Sequence, residues 1–423
     1  MINNNETLPP NNLIKKRWRD MGAAFKVRNY RWYWTTQFLS GIGTWAQAIA
    51  QSWLILDLTH SAIALGTITM LQFLPMLLFS LFGGVIADRF ERRRLLVFTQ
   101  IILALQAIIL AILVLTHAIT IFEVGFLALL LGTINALNGP AQQAFVPELV
   151  GKDLVPNAVA LNSVQFNTSR MIGGAIGGIA VALWGIPGAL FFNAASFIPT
   201  IVVLIIIRPA YTAIKTYLEK TSAITELMEG LKYALSNLSI RRIVLLFGII
   251  GLLGFNWQVA VPLIAKFSLH QNVTAFGDLM AALGAGSLIG AIIQARNSNA
   301  SEKRIILGGI ALGISLLLLG LSHSYLLSLI LLAIAGFSGI IASVTTNTRL
   351  QLITPDKFRG RIMGIYVLLM GGTTPIGAFL FGEIAGNFNT GVALIIFGSI
   401  TVLGIVTIAL TNRHFATPGL FTN

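Results

Sequence analysis

Gly83-Gly84-Val85-Ile86-Ala87-Asp88-Arg89-Phe90-Glu91-Arg92-Arg93-Arg94 stands between two apolar runs, 62–87 and 95–116. Each run exceeds the roughly 20 residues that a helix needs to cross a bilayer core. Between them, residues 88–94 carry four arginines and two carboxylates, which makes this a tight turn on the water side. The Gly-Gly pair just before it lets two helices approach closely. A plain basic loop accounts for the arginines and leaves the glycines and Asp88, at the edge of the apolar run, to be explained.

The same alternation extends along the whole chain. Of 423 residues, 56% are hydrophobic and 10% charged, with mean hydropathy +0.83 and no cysteine. A water-soluble chain carries about a quarter of its residues as charges. Apolar spans fall near 31–57, 62–87, 95–116, 122–145, 156–183 and 187–207, and again near 243–265, 275–296, 304–322, 325–348, 362–385 and 390–411. This predicts an all-α integral membrane protein of twelve transmembrane helices in two pseudo-symmetric six-helix bundles. The expected divisions are a tail 1–29, a first bundle 30–207, a linker 208–240, a second bundle 241–412 and a tail 413–423. The polar, basic N-terminal stretch shows no small-residue cleavage site, so the first span is read as a retained helix.

Lys and Arg exceed Asp and Glu by 28 to 15. Placement of the basic residues excludes a nucleic-acid reading, because they gather in the tails and in every second loop, while Lys266 is alone in the opposite loops. That asymmetry is the positive-inside pattern, and it predicts a cell (inner) membrane protein with both termini in the cytoplasm. In the linker, Ile224, Leu227, Met228, Leu231, Leu235 and Leu238 recur at helical spacing. They predict an amphipathic helix along the cytoplasmic interface, or a soluble helix bridging two domains.

Sliding one half on the other by 204 residues brings Gly132 onto Gly336, Trp53 onto Trp257, Gln143 onto Asn347 and Gly173 onto Gly377. At an offset of 210, Arg93-Arg94 meets Lys303-Arg304. Parallel repeats flanking a midplane site characterise one large class of transporters.

An enzyme would need clustered chemistry. The histidines His60, His117, His270 and His323 are scattered at expected outer ends of spans, His414 lies in the tail, and no metal, nucleophile or nucleotide motif appears. No cofactor, metal site or catalytic residue is expected. Polar groups at midplane depth are costly and mark cavities. Arg170, fourteen residues after Pro156 and thirteen before Leu183, is the strongest, able to hold an anionic substrate or to pair with an acid on another helix. Gln47 and Gln51, Asn135 and Asn138, and Asn167 with Arg170 share helix faces, while Asn256-Trp257-Gln258 and Thr345-Thr346-Asn347 interrupt spans seven and ten. These amides either line a substrate cavity or bond helix to helix. Asp57, Glu383 and Asp278, all toward outer ends, are the candidate coupling carboxylates, and none lies at the midplane.

The turn at 83–94 resembles the loop between helices two and three of the major facilitator superfamily. The match holds at Gly84, Ala87, Asp88, Arg89, Arg92 and Arg93, with Glu91 in place of the family's glycine. Asn138-Gly139-Pro140-Ala141, Val146-Pro147-Glu148-Leu149-Val150, Glu229-Gly230-Leu231-Lys232-Tyr233 and Arg359-Gly360-Arg361 are similar to its enterobactin-exporter-like and macrolide-efflux-like branch. Gly173-Gly174-Ala175-Ile176-Gly177-Gly178 resembles the antiporter signature of helix five without its proline, and implies a helix-five bend at Gly173, Gly174, Gly177 and Gly178. The resemblance implies a monomeric secondary carrier in the lipid bilayer, exchanging protons for a small organic molecule such as a siderophore, a macrolide or another amphipathic compound. It also implies that Gly84, Asp88, Arg89, Arg92, Arg93, Glu148 and Arg361 form a cytoplasmic latch, with Asp88 near the start of helix eleven. Export is the leading expectation, import on the same fold the alternative, and a membrane enzyme or scaffold the remote one.

Overall fold

A computed structural model describes residues 22–209, 211, 223–296 and 300–411, without the side chains of 80–89, 223–227 and 295–296. The first half comprises α1 (Arg28–Thr59), α2 (Ala62–Arg89), α3 (Arg92–Leu115), α4 (Ile121–Val150), α5 (155–184) and α6 (186–206). After α7 (Ala223–Ser236), the second half has α8 (Leu238–Gly254) and α9 (Trp257–Leu263) in one crossing, then α10 (Val273–Arg296), α11 (Glu302–Leu321) and α12 (Tyr325–Ile353). Its eleventh crossing is split into α13 (Asp356–Val367) and α14 (Thr374–Asn387), and α15 (Thr390–Thr411) is the last. The described residues contain no strand, as expected where a bilayer leaves the backbone no partner but itself.

Ten stretches are long and apolar enough to cross a membrane. One of them, Lys152–Ile206, is two crossings joined at Gly185, and α1 makes the twelfth. α1 falls short on apolarity because Gln37, Ser40, Gln47 and Gln51 run through it. The α5–α6 corner depends on Gly185, whose φ of 68° is a conformation that a side chain opposes.

The repeat is visible in the packing. A Cβ on Gly132 of α4 would strike the Gln72 carbonyl oxygen of α2, and one on Gly336 of α12 would strike the Leu283 carbonyl oxygen of α10. Gly173 of α5 lies against the Ile42 carbonyl of α1, as Gly377 of α14 lies against the Leu252 carbonyl of α8. Glycine at these points brings backbones into contact, the close approach by which membrane helices associate without a hydrophobic driving force.

Two local expectations are corrected. The only non-helical backbone within 155–206 is at Gly185, so the glycines at 173–178 do not bend α5; their missing side chains serve contact instead. α12 runs unbroken through Thr345, Thr346 and Asn347. Crossing seven is interrupted at Phe255–Asn256 and crossing eleven by a π-helical turn at Leu368–Gly372. α7 docks on α13 through stacked Tyr233 and Phe358 rings with centroids 4.0 Å apart. Met228, Leu231 and Leu235 remain exposed, an apolar row suited to the headgroup boundary.

Candidate substrate crevice and its gates

The halves meet along two helix pairs, α5 with α10 and α2 with α14. On the first, a Cβ added to Gly178 would lie 2.9 Å from the Val273 carbonyl oxygen and 3.1 Å from Gly277 Cα. On the second, one added to Gly66 would lie 2.8 Å from Gly382 Cα. Both contacts are at the end of the molecule opposite the basic loops. There Lys266 Nζ lies 2.5 Å from Asp57 Oδ1, joining the second half to the first, and 5.0 Å from the Trp53 ring centroid. Trp53 in turn stacks on Phe276 of α10. The pairing was not anticipated from the sequence, although Lys266, the one cation in the opposite loops, was its signal. His60, His270 and His323 gather around a cavity of about 540 Å³ at this same end.

Toward the centre, the innermost glycine contact of α5 with α10 sets Gly284 against Met171, and Arg170 is the next residue. On the helix face that carries Arg170, the residues toward the basic end, Phe166, Ser163 and Val159, are exposed, whereas Gly173, Gly174 and Gly177 on the other side are buried. Arg170 therefore stands where the two halves part. Its Nη2 donates to Asn167 Oδ1 at 3.2 Å, its Cζ lies 6.0 Å from each of the Trp45 and Phe166 ring centroids, and its Nε is buried without a hydrogen bond. No described carboxylate lies within ion-pair distance of it, so the reading of an acid on another helix finds no partner among the described residues. Asn135 is exposed on the side of α4 opposite Phe122, Phe126 and Leu129, the outward-facing apolar row. One turn further, a Cβ on Gly139 would meet nothing within 4 Å, as expected beside an open crevice.

The other amides are placed differently. Gln47 is buried and bonded on both sides, donating to Gln106 of α3 and accepting from Asn193 of α6. Gln51 donates to Gln72 of α2, and Asn138 accepts from Thr99 of α3. These three hold the first half together in this conformation and leave the crevice wall to other residues. Asn256 and Trp257 are buried at the break of crossing seven, with Gly377 packed on Asn256. Asn347 accepts from Gln351 one turn on. Asn167 is buried and serves to hold Arg170.

At the basic end, Arg92 lies 2.6 Å from Glu148, Arg242 lies 2.7 Å from Glu302, and Arg361 lies 2.8 Å from Glu229 of α7. Arg93 donates to the Ile207 carbonyl and pairs with Glu91. Gly84, Asp88 and Arg89 fall among the residues whose side chains are not described. Of the coupling candidates, Asp57 is held by Lys266, Asp278 accepts from Tyr325, and Glu383 accepts from Asn387. Glu123 closes a capping box with Thr120 at the start of α4.

Comparison with known proteins fits this architecture. Residues 21–417 match the family described as transmembrane secretion effectors. The staphyloferrin A transporter of Staphylococcus aureus is 25% identical over 387 residues, covering 90% of this chain and 94% of that protein. The multidrug efflux pump Tap of Mycolicibacterium fortuitum is 27% identical over 88% of this chain and 93% of its own. The enterobactin exporter EntS of Escherichia coli K12 is 25% identical, covering 91% and 93%. Among solved structures, the nucleoside transporter NupG superposes with a TM-score of 0.71 at 12% identity, over 92% of this chain and 99% of that one. A bacterial homologue of the lysosomal transporter Spinster, in an inward-facing and unoccupied conformation, gives 0.65 at 14% identity, over 92% and 94%. With twelve crossings, a repeated packing and a family match spanning nearly its whole length, the chain is a multi-pass membrane transporter and belongs to the transmembrane secretion effector family of the major facilitator superfamily.

Proposed function

We propose that this carrier exports a small organic molecule from the cytoplasm by alternating access, and that the structure is its inward-facing state. The observation that carries the reading is the asymmetry of the seam. The halves are sealed at the Lys266 end, while on the α5 side the described residues below Arg170, Phe166, Ser163 and Val159, are exposed toward the basic end. The positive-inside rule sets the basic end in the cytoplasm of the inner membrane, together with both termini. A cytoplasm-open crevice loads substrate from inside, and rocking of the halves would deliver it outside. Relatives named as exporters of enterobactin and as a multidrug efflux pump support outward transport. The staphyloferrin A transporter supports a siderophore or a similar amphipathic compound as cargo. A monomeric working unit and proton antiport rest on the resemblance, and no carboxylate of this sequence lies at midplane depth to carry the proton.

The test compares the small molecules in cells and medium of a strain lacking the protein with those of the complemented strain, grown iron-poor and iron-rich. Export predicts a compound retained inside the deletion strain and depleted from its medium. A compound that stays outside until complementation draws it in would establish import instead.

A further inference from the structure

Arg170 is a permanent cation near the centre of a crossing helix, and the sequence supplies no acid to neutralise it there. All fifteen Asp and Glu residues fall in tails, loops or the ends of spans. The described neighbours offer the guanidinium one side-chain amide, two aromatic rings and no carboxylate, and leave Nε without a bond. A charge at this depth is expensive and is ordinarily paired. Its position, one residue beyond the Met171–Gly284 contact of α5 with α10 and above a row of exposed residues, puts it at the inner limit of the crevice.

We infer that the missing partner is the substrate: the carrier transports an organic anion whose carboxylate or comparable acidic group binds Arg170 beside the packed Trp45–Phe166 pair, whose ring centroids are 5.8 Å apart, and the membrane potential drives its export. This rests on the export reading above. An arginine fork binds a carboxylate through paired hydrogen bonds, and the adjacent aromatic pair, with Phe166 exposed, suits a cargo with a flat apolar body beside its charge.

The charge balance gives the direction. With a singly charged anion bound, the site crosses the membrane neutral. Empty, it returns toward the cytoplasm carrying one positive charge, a step that an inside-negative potential favours. One negative charge leaves per cycle, and no protein carboxylate has to take up or release a proton. At 100 mV, a single charge supports an outward gradient of roughly fifty-fold.

The deletion strain is complemented with wild-type protein, Arg170→Gln or Arg170→Lys, with membrane levels measured for each. The inference expects the retained compound to be anionic at neutral pH, its export to fall at least about tenfold with Arg170→Gln, and Arg170→Lys to restore part of it because the charge remains. A retained compound that is neutral or cationic overturns the inference and leaves export standing. Normal export by Arg170→Gln overturns it as well. If Arg170→Gln does not reach the membrane, wild-type proteoliposomes loaded with the retained compound decide. Efflux should follow a potassium diffusion potential set with valinomycin at equal pH, and efflux that follows only a pH gradient overturns the inference. If no compound is retained at all, the export reading fails, and this inference with it.

Discussion

At the end of the molecule where Lys266 sits, charges and rings reach across the seam: Asp57 to Lys266, Trp53 to Phe276, and glycine to glycine on both helix pairs. Among the described residues, three ion pairs at the basic end stay on one side of it. Arg92 and Glu148 are both in the first half, Arg242 and Glu302 both in the second, and Arg361 ties α7 to the second half. One end is built from contacts that must break for the halves to rock, the other from contacts that can persist through the motion. The contrast separates gates from struts. It also makes the two ends separately testable, because a chain without cysteine accepts a single introduced one. Thr44→Cys, at an exposed position midway along α1, would report access from either side to a membrane-impermeant maleimide.

The strongest test forces the sealed end apart. In Gly178→Leu the new side chain meets the α10 backbone at Val273 and Gly277. Overpacking costs about 1–3 kcal/mol, and here it falls on the sealed state alone. The expected result is a shift of roughly 10–100-fold toward the outward-open state, more Thr44→Cys labelling from outside, and transport reduced by a similar factor. Unchanged labelling would mean that the α5–α10 contact is not a gate.

Asp88→Asn probes the other end in the other state. The resemblance sets Asp88 near the start of crossing eleven when the basic end is closed, where helix N-terminal N–H groups favour a negative charge by about 0.3–1 kcal/mol, and up to about 2 kcal/mol when partly buried. Transport is expected to fall roughly 2–10-fold, membrane insertion to remain normal, and outside labelling to decrease. Full transport by this variant would remove the latch.

How far these ends could be read beforehand follows from what a linear pattern records. Span positions, the repeat and the depth of Arg170 were legible because bilayer thickness imposes a length and every charge within that length stands out. The partners of Gln47, Gln51 and Asn138 were not, since an amide on a helix face bonds equally well to a neighbouring helix or to a ligand, and only rotation about the helix axis decides. The bend expected at Gly173–Gly178 failed for a related reason. Glycine permits either a kink or a close approach, and without a proline to remove a hydrogen bond the backbone kept its helical angles and used the space for contact. The Asp57–Lys266 pair joins residues 209 apart in sequence, a distance that no local pattern encodes.

Lys266→Gln should have a smaller effect than the glycine change. The pair is partly exposed, and such pairs contribute about 0.2–1 kcal/mol. The expected result is up to about a fivefold shift toward outside labelling, opposite in sign to Asp88→Asn. The double variant should restore labelling close to wild type. If both single variants shift labelling the same way, the two ends are not reciprocal gates.

Glu148→Gln should have the smallest effect on access. Glu148 belongs to the latch set implied by the resemblance, yet its pair with Arg92 is already formed while the basic end is open. A contact present in this state cannot hold that end shut unless it tightens or changes partner on closing. As a strut within the first half, it should on loss lower thermal stability by about 1.5–3 kcal/mol, the contribution of a hydrogen bond between charged groups. Labelling of Thr44→Cys from both sides should stay within error of wild type. If Glu148→Gln instead lowers outside labelling as Asp88→Asn does, with stability unchanged, Arg92 exchanges Glu148 for another partner during the cycle. Glu148 would then be a moving part of the gate, and the division of this end into struts would be wrong at that pair.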